Sequence, residues 1–224
     1  QVKMNRTRAT LSLLLPLLIV SMFSLAKERI GILHEERSLY TRILVHKVND
    51  LLCMKFTLVR SDSNQSCKDL SAPKRLVFAY ARMTMTALLF NRHPQKILIV
   101  GLGGGTLPEA FFELIDNVKI DTVEIDPAVI KVAKEYFLFE DNERKRVIAQ
   151  DARVFIKRAI LRSTEYDLVI LDAFNGDYIP EHLMTKEFLL EVQKVLSRDG
   201  VLVANTFGTS KLYDYESNTY QDVF

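Results

Sequence analysis

Three carboxylates and a run of glycines are the residues of this 224-residue chain whose types and spacing can do chemistry. Residues 97–106, ILIVGLGGGT, place a string of β-formers before Gly101, Gly103, Gly104 and Gly105, and a helix is expected over 106–114. Glycines let the backbone approach a ligand closely, and the first turn of the helix presents amides that have no partner in the chain. The next run, VEID at 123–126, ends a second strand at Glu124, with Ile125 and Asp126 at the same mouth. A carboxylate there can accept from both hydroxyls of a ribose, and two charge-assisted hydrogen bonds contribute ~1.5–3 kcal/mol each, enough to select a nucleoside. VIAQDA at 147–152 predicts a third strand ending in Gln150, Asp151 and Ala152, and YDLVILDA at 166–173 a fourth ending in Asp172. In an open parallel sheet all carboxyl ends face one crevice, so Glu124, Asp151 and Asp172 converge although they are far apart in sequence. Packing alone accounts for a glycine turn; it does not account for acids after three successive strands.

The elements that must position these residues alternate. Helical segments are expected over 108–115, 127–137, 153–161 and 183–196, with a fifth strand over 201–206. Strand–helix alternation at this spacing gives an α/β fold with a doubly wound, mainly parallel, Rossmann-like sheet. Ahead of it, 42–46 and 51–56 are expected as strands joined by a turn at 48–50, a small β-hairpin unit. A helix over 72–90 follows, with Pro73 at its start and Tyr80 on its apolar face. The chain therefore divides into a leader (1–29), the small β unit (30–72) and a nucleoside-binding domain (73–224).

Composition bounds the function. Hydrophobic residues make up 48% of the chain, which allows one substantial core. Thirty basic against 28 acidic side chains leave a net charge of +2, so no nucleic-acid partner is expected. The basic cluster at 144–146 sits among acids and is expected as a solvated loop. Four histidines and two cysteines match no metal-ligand spacing, so no metal is expected.

The leader has its own logic. Arg6 and Arg8 precede eighteen uncharged residues, 9–26, and Lys27, Glu28 and Arg29 follow, a pattern of export or of a retained membrane anchor. Eighteen residues are marginal for a ~30 Å hydrocarbon core, and a buried helix in a cytoplasmic protein is the alternative. Export would permit a Cys53–Cys67 disulfide, whose loop of about fifteen residues is worth ~3 kcal/mol in the chain-entropy model, across a polar loop at 60–66. Asn64, Gln65 and Ser66 fit a glycosylation acceptor in a eukaryotic secretory route.

Taken in order, SLYTRILV at 38–45, YARM at 80–83, the glycine run, VEID, QDA at 150–152 and YDLVILD at 166–172 resemble the spermidine synthase family of polyamine aminopropyltransferases, within the methyltransferase-like folds that bind S-adenosylmethionine. The resemblance covers about residues 37–207. It implies that Glu124 holds the ribose, Asp151 the adenine amino group and Asp172 the incoming amine. It also implies decarboxylated S-adenosylmethionine as donor, an amine such as putrescine as acceptor, and a homodimer. Asp177 would be a second anion, and Tyr80 and Tyr178 substrate contacts, with 178–181 in a lid that excludes water.

The chain departs from that pattern at several places. The family's aspartate in the glycine turn is Gly104 here, its glutamine after Tyr40 is Thr41, Ala81 and Arg82 follow Tyr80, and 173–176 displace a second aspartate. Without a like charge at 104, ordinary S-adenosylmethionine also fits, so a methyltransferase is the second reading. A non-catalytic, membrane-tethered nucleoside-binding module is the third. A nicotinamide dehydrogenase is disfavoured, because Thr106 holds the last glycine position of that fingerprint and Asp151 has no role in it. The family pattern further leads one to expect a last helix and two strands beyond Phe224.

Overall fold

The computed structural model describes residues 31–56, 64–173, 179–206 and 213–224. The larger sheet holds β5 (Lys96–Val100), β6 (Lys119–Glu124), β7 (Lys145–Ala149), β8 (Tyr166–Leu171) and β9 (Leu196–Ala204), in the order β7-β6-β5-β8-β9. Every pairing in it is parallel. The central strand β5 is buried from Ile97 to Val100, as its unbroken apolar run requires of a strand covered on both faces. On one face Leu98, Val100, Val169 and Leu171 pack against α4 (Ala152–Leu161) and α5 (Lys186–Gln193). On the other, Ile97, Ile99, Ile120 and Ile170 pack against α1 (Ala79–Thr84) and α2 (Thr106–Leu114). This is the expected doubly wound α/β architecture.

Backbone pairing continues past the strand ends and sets the functional edge. Gly101 N donates to Val123 O, Gln150 N to Glu124 O, Asp172 N to Val100 O and Asn205 N to Leu171 O, all at 2.8–3.0 Å. The residues after four different strands are thereby held level with one another.

The N-terminal unit is a four-stranded antiparallel sheet, β1 (Gly31–Arg37), β2 (Arg42–Val48), β3 (Leu51–Phe56) and β4 (Asn64–Asp69). Cys53 lies directly opposite Cys67, and the two form a disulfide. Ile43, Val45, Met54 and Phe56 on one face are buried against Val129, Val132 and Phe137 of α3 (Pro127–Tyr136) and its C-terminal end. Both ends of α3 are gripped. The Asp126 carboxylate accepts from Ala128 N at 2.9 Å, capping the helix, and from the Ser38 hydroxyl of the β1–β2 turn. At the other end, Lys68 Nζ donates to Phe137 O at 2.7 Å.

The structure corrects five local expectations. The helix over 72–90 shrinks to α1 and a 3-10 turn at Met85–Leu89. Asp69 Oδ1 accepts from Ser71 N and Ala72 N, and Leu76 bridges to Lys68, so these competing bonds hold 71–76 out of a helix. The polar loop at 60–66 is strand from Asn64 onward, and 57–63 lie outside the described residues. The basic cluster is not a solvated loop. Lys145 is buried at the start of β7, bonded to Glu109 and stacked over Phe112 and Phe139, while Arg146 grips Asp121. Finally, the helix over 183–196 is the shorter α5 after a 3-10 turn at Glu181–Leu183, and β9 begins at Leu196 instead of 201.

A further helix, α6 (Tyr213–Gln221), carries the partly buried Tyr220 against the α5 side of the core. The leader and its stretch at 9–26 fall outside the described residues, among which no helix is long and apolar enough to cross a membrane. Asp121 ties three elements, since its carboxylate accepts from the buried Tyr166 hydroxyl at 2.8 Å and from Arg146. Asp121→Ala leaves that hydroxyl without an acceptor and is expected to cost about 2–3 kcal/mol in urea denaturation, with Tyr166→Phe costing about 1 kcal/mol.

Candidate functional site

A cavity of about 480 Å³ opens at the carboxyl edge of the parallel sheet, roofed by the N-terminal sheet. That volume lies in the range of sites for small organic molecules. Glu124, Asp151 and Asp172 all line it, as do Gly101, Gly103, Ile125, Asp126, Gln150, Ala152 and Tyr80. Gly104 and Gly105 do not. A Cβ at Gly104 would stand 2.7 Å from Phe137 Cδ1 and 2.8 Å from Ser66 Oγ, and one at Gly105 would meet the Phe139 ring. Asp177 and Tyr178 lie outside the described residues.

Each acid is held differently. Glu124 Oε2 accepts from Leu102 N and Oε1 from Asp126 N, both at 3.0 Å, so its head is fixed across the glycine turn while its remaining lone pairs face the cavity. Burial raises its pKa from the ordinary carboxylate value, against the lowering effect of those amides. Asp151 caps α4 by accepting from Val154 N at 2.9 Å, and its other oxygen meets His182 Nε2 at 3.0 Å. Asp126 is committed to α3 and Ser38, which gives it an architectural task at the cavity wall.

Asp172 follows β8. Asn205 Nδ2 donates to its Oδ1 at 2.8 Å and the Tyr80 hydroxyl to its Oδ2 at 3.3 Å. Burial pushes its pKa up to about 6; those two hydrogen bonds oppose the shift and the nearby Glu124 charge adds to it. Burial, with the Asp172 charge, raises the Tyr80 pKa above the ordinary phenol value, so Tyr80 stays a donor. Gly101 is required beneath this group: its φ is +102°, and a Cβ there would collide with the Asp172 carbonyl.

Two lining residues, Asn205 and His182, were not singled out from the sequence. Asn205 directly follows the fifth strand, so the rule that found the acids also reaches it once polar amides are admitted; His182 sits on an irregular turn that no periodicity marks. Asn64 and Ser66 also line the cavity, and the Asn64 side-chain oxygen is buried. Among the described lining residues four are carboxylates and none is lysine or arginine. Among the described residues, no group of three histidine, cysteine or acidic side chains could hold a metal.

The sheet order, the glycine turn and the acid on the second strand are those of the methyltransferase-like class of α/β folds. Within that class the chain belongs to the spermine/spermidine synthase family, whose domain matches residues 77–222. It is 51% identical over 207 residues to a polyamine aminopropyltransferase of Vibrio vulnificus, covering 92% of this chain and 69% of that protein. A probable spermidine synthase from Corynebacterium glutamicum shares the fold, with a TM-score of 0.72 at 23% identity over 85% of this chain and 70% of that one. Human methyltransferase-like protein 13, solved with SAH, superposes with a TM-score of 0.54 at 27% identity, covering 65% of this chain and 70% of that chain.

The Asp172 environment predicts a stability change with pH. Below pH 3.8 the group is protonated whether the chain is folded or not; as pH rises through 4–6 the unfolded chain releases the proton first, so folding stability falls until about pH 6. A shift of about two units corresponds to ~3 kcal/mol, reduced by solvent in the open cavity to roughly 1–3 kcal/mol. Asp172→Asn is therefore expected to melt higher than the native chain at pH 7.5 and to flatten the pH 4–6 part of the stability curve measured by calorimetry.

Proposed function

We propose that the protein transfers an aminopropyl group from decarboxylated S-adenosylmethionine to an amine such as putrescine. The observation that carries this reading is the cavity's charge: four carboxylates, no lysine or arginine among the described lining residues, and a fixed carboxylate beside the glycine turn. A site of that kind favours a cation and gives a pyrophosphate no counter-charge. Both the sulfonium donor and the polyamine acceptor are cations. The 51% identity to a polyamine aminopropyltransferase supports the same reaction.

The donor supplies a carbon activated by its sulfonium. Glu124, with its orientation set by Leu102 N and Asp126 N, accepts from the ribose hydroxyls. Asp151 borders the adenine end. Asp172, held by Asn205 and Tyr80, orients the acceptor ammonium and takes its proton, so the nitrogen lone pair can attack. The new N–C bond forms as the C–S bond breaks, and the bonding pair leaves on sulfur as a neutral thioether. A carboxylate whose pKa is about 6 is a better proton acceptor than an exposed one and is still mostly ionised at pH 7.5.

Two finer parts of this reading rest on the sequence. A homodimer follows from the family resemblance, and export or a membrane tether through 9–26 from the leader's charge pattern. The Cys53–Cys67 disulfide supports an oxidising compartment. Methyl transfer stays the second reading, favoured by the absence of an acid at Gly104 and by the 27% identical human methyltransferase-like protein.

Product analysis separates the two. With decarboxylated S-adenosylmethionine and putrescine, methylthioadenosine and spermidine are expected. Formation of S-adenosylhomocysteine and a methylated amine from the full donor, with no aminopropyl product from the decarboxylated one, overturns the proposal. Asp172→Asn is expected to lower kcat at least 100-fold, about 3 kcal/mol, while methylthioadenosine still binds within threefold of the native affinity. The native rate should rise with pH through about 6 as Asp172 ionises.

A further inference from the structure

The order of the strands sorts three acids along the cavity. Glu124 ends β6, Asp151 lies just beyond its outer neighbour β7, and Asp172 follows β8, two strands away on the other side. At ~4.8 Å per strand, Asp151 stands about 5 Å and Asp172 about 10 Å from the Glu124 position, in opposite directions. A nucleoside whose ribose rests on Glu124 and whose sulfonium points to Asp172 therefore lays its base against Asp151. The roof adds no charge to this arrangement. Strand β4, whose register against β3 shifts between Met54 and Lys55, brings the neutral Asn64, Gln65 and Ser66 to the cavity.

Asp151 is held at both of its oxygens. Val154 N donates to Oδ1 at 2.9 Å, and His182 Nε2 meets Oδ2 at 3.0 Å. Facing a carboxylate, that ring nitrogen carries the proton and donates. Capping of α4 uses Oδ1 alone, so the His182 bond adds nothing to the helix and acts on the other oxygen. Both side chains line the cavity, Asp151 with 29% and His182 with 45% of its side chain exposed, so the carboxylate keeps lone pairs that a ligand can reach. His182 is itself fixed. Its neighbour Leu183 is buried in the core beside α5. Arg153 Nη1 donates to His182 O at 3.4 Å, while Nε and Nη2 of the same guanidinium grip Glu191 of α5 at 2.8 and 3.1 Å. A turn anchored on two sides thus delivers the imidazole to Asp151.

We propose that His182 is a specificity-determining positioning residue, which holds the Asp151 carboxylate so that the site takes a 6-aminopurine nucleoside and rejects its 6-oxo counterpart. The inference rests on the aminopropyltransferase reading and deepens it, since it names what selects the donor's base. A carboxylate only accepts. The exocyclic amino group of a 6-aminopurine donates to it, whereas a 6-oxopurine sets a carbonyl oxygen against it. A free carboxylate rotates to relieve that clash. With Oδ1 on Val154 N and Oδ2 on His182, Asp151 cannot rotate without giving up a bond. Ile125, Pro180 and Leu183 also line the cavity and offer apolar surface to the faces of a purine, which does not tell the two bases apart.

Calorimetric titration of the intact chain with methylthioadenosine and methylthioinosine, which differ only at the 6-position, tests this. The native chain is expected to prefer methylthioadenosine at least 100-fold. His182→Ala is expected to lower that ratio at least tenfold, ~1.4 kcal/mol. His182→Gln, whose amide nitrogen can donate to Asp151 in the same way, should keep the ratio within threefold of native. In an Asp151→Asn background His182→Ala should leave the ratio unchanged, because the residue acts through that carboxylate. A residue that merely supports the turn would weaken both nucleosides alike, so an unmoved ratio in His182→Ala overturns this inference alone. A native preference below tenfold does the same, as does a ratio in His182→Gln as low as in His182→Ala. Should His182→Ala bind neither nucleoside, His182→Leu, which keeps bulk on the turn and cannot donate, decides by the same ratio, and loss of both nucleosides there rejects the inference. Failure of the native chain to bind methylthioadenosine removes the functional reading and the inference together.

Discussion

The Glu124 carboxylate, held between the amides of Leu102 and Asp126, is the constraint on which the site depends. Those amides belong to the turns that follow two adjacent parallel strands, and both would otherwise lack a partner at the sheet edge. The carboxylate satisfies them and fixes the spacing of the turns. It also takes one turn amide that an anion at the glycine notch would need. Its burial makes ionisation costly, and the backbone bonds only partly offset that.

From that corner the electrostatics of the cavity follow. Asp172 sits close enough to Glu124 to feel its charge, and no lysine or arginine among the described lining residues neutralises either. The packing that raises the pKa of both acids also leaves them without a positive partner along the described cavity wall. The N-terminal sheet contributes the roof. Its attachment through α3 is mechanical: Ser38 on the Asp126 cap, Lys68 on the last carbonyls, and an apolar face between them. One helix thus carries a cavity-lining acid, Asp126, at its start and the roof along its length.

Much of this was legible in the sequence because it depends on order and not on distance. The acids after three strands are named by a simple alternation of β-runs and helices, and parallel pairing brings them together without further information. The resemblance to an aminopropyltransferase, read from those same segments, is matched by the family to which the chain belongs. What could not be read depends on contacts between distant residues. Asp69 bonding to Ser71 and Ala72 cancels a helix that the apolar spacing at 76–90 favours. Lys145 is buried because Glu109 and two aromatic rings lie around it, and a local reading of a basic cluster has no access to that. Strand β4, with the sequence NQSCKD, looks like a polar loop and becomes a strand because β3 offers it an open edge.

The shifted register in β4 makes part of the roof sensitive to chain length. Surface segments commonly accept a residue more or less with little effect. Here a one-residue deletion within 64–66 would restore even alternation, slide Asn64 toward the opposite side of the pleat and pull Ser66 off the glycine turn. Evolution along this stretch is thus free to exchange residues and poorly placed to add or drop them. Point changes can alter the side chains of the roof while the count of positions between Asn64 and the Cys67 bridge stays fixed.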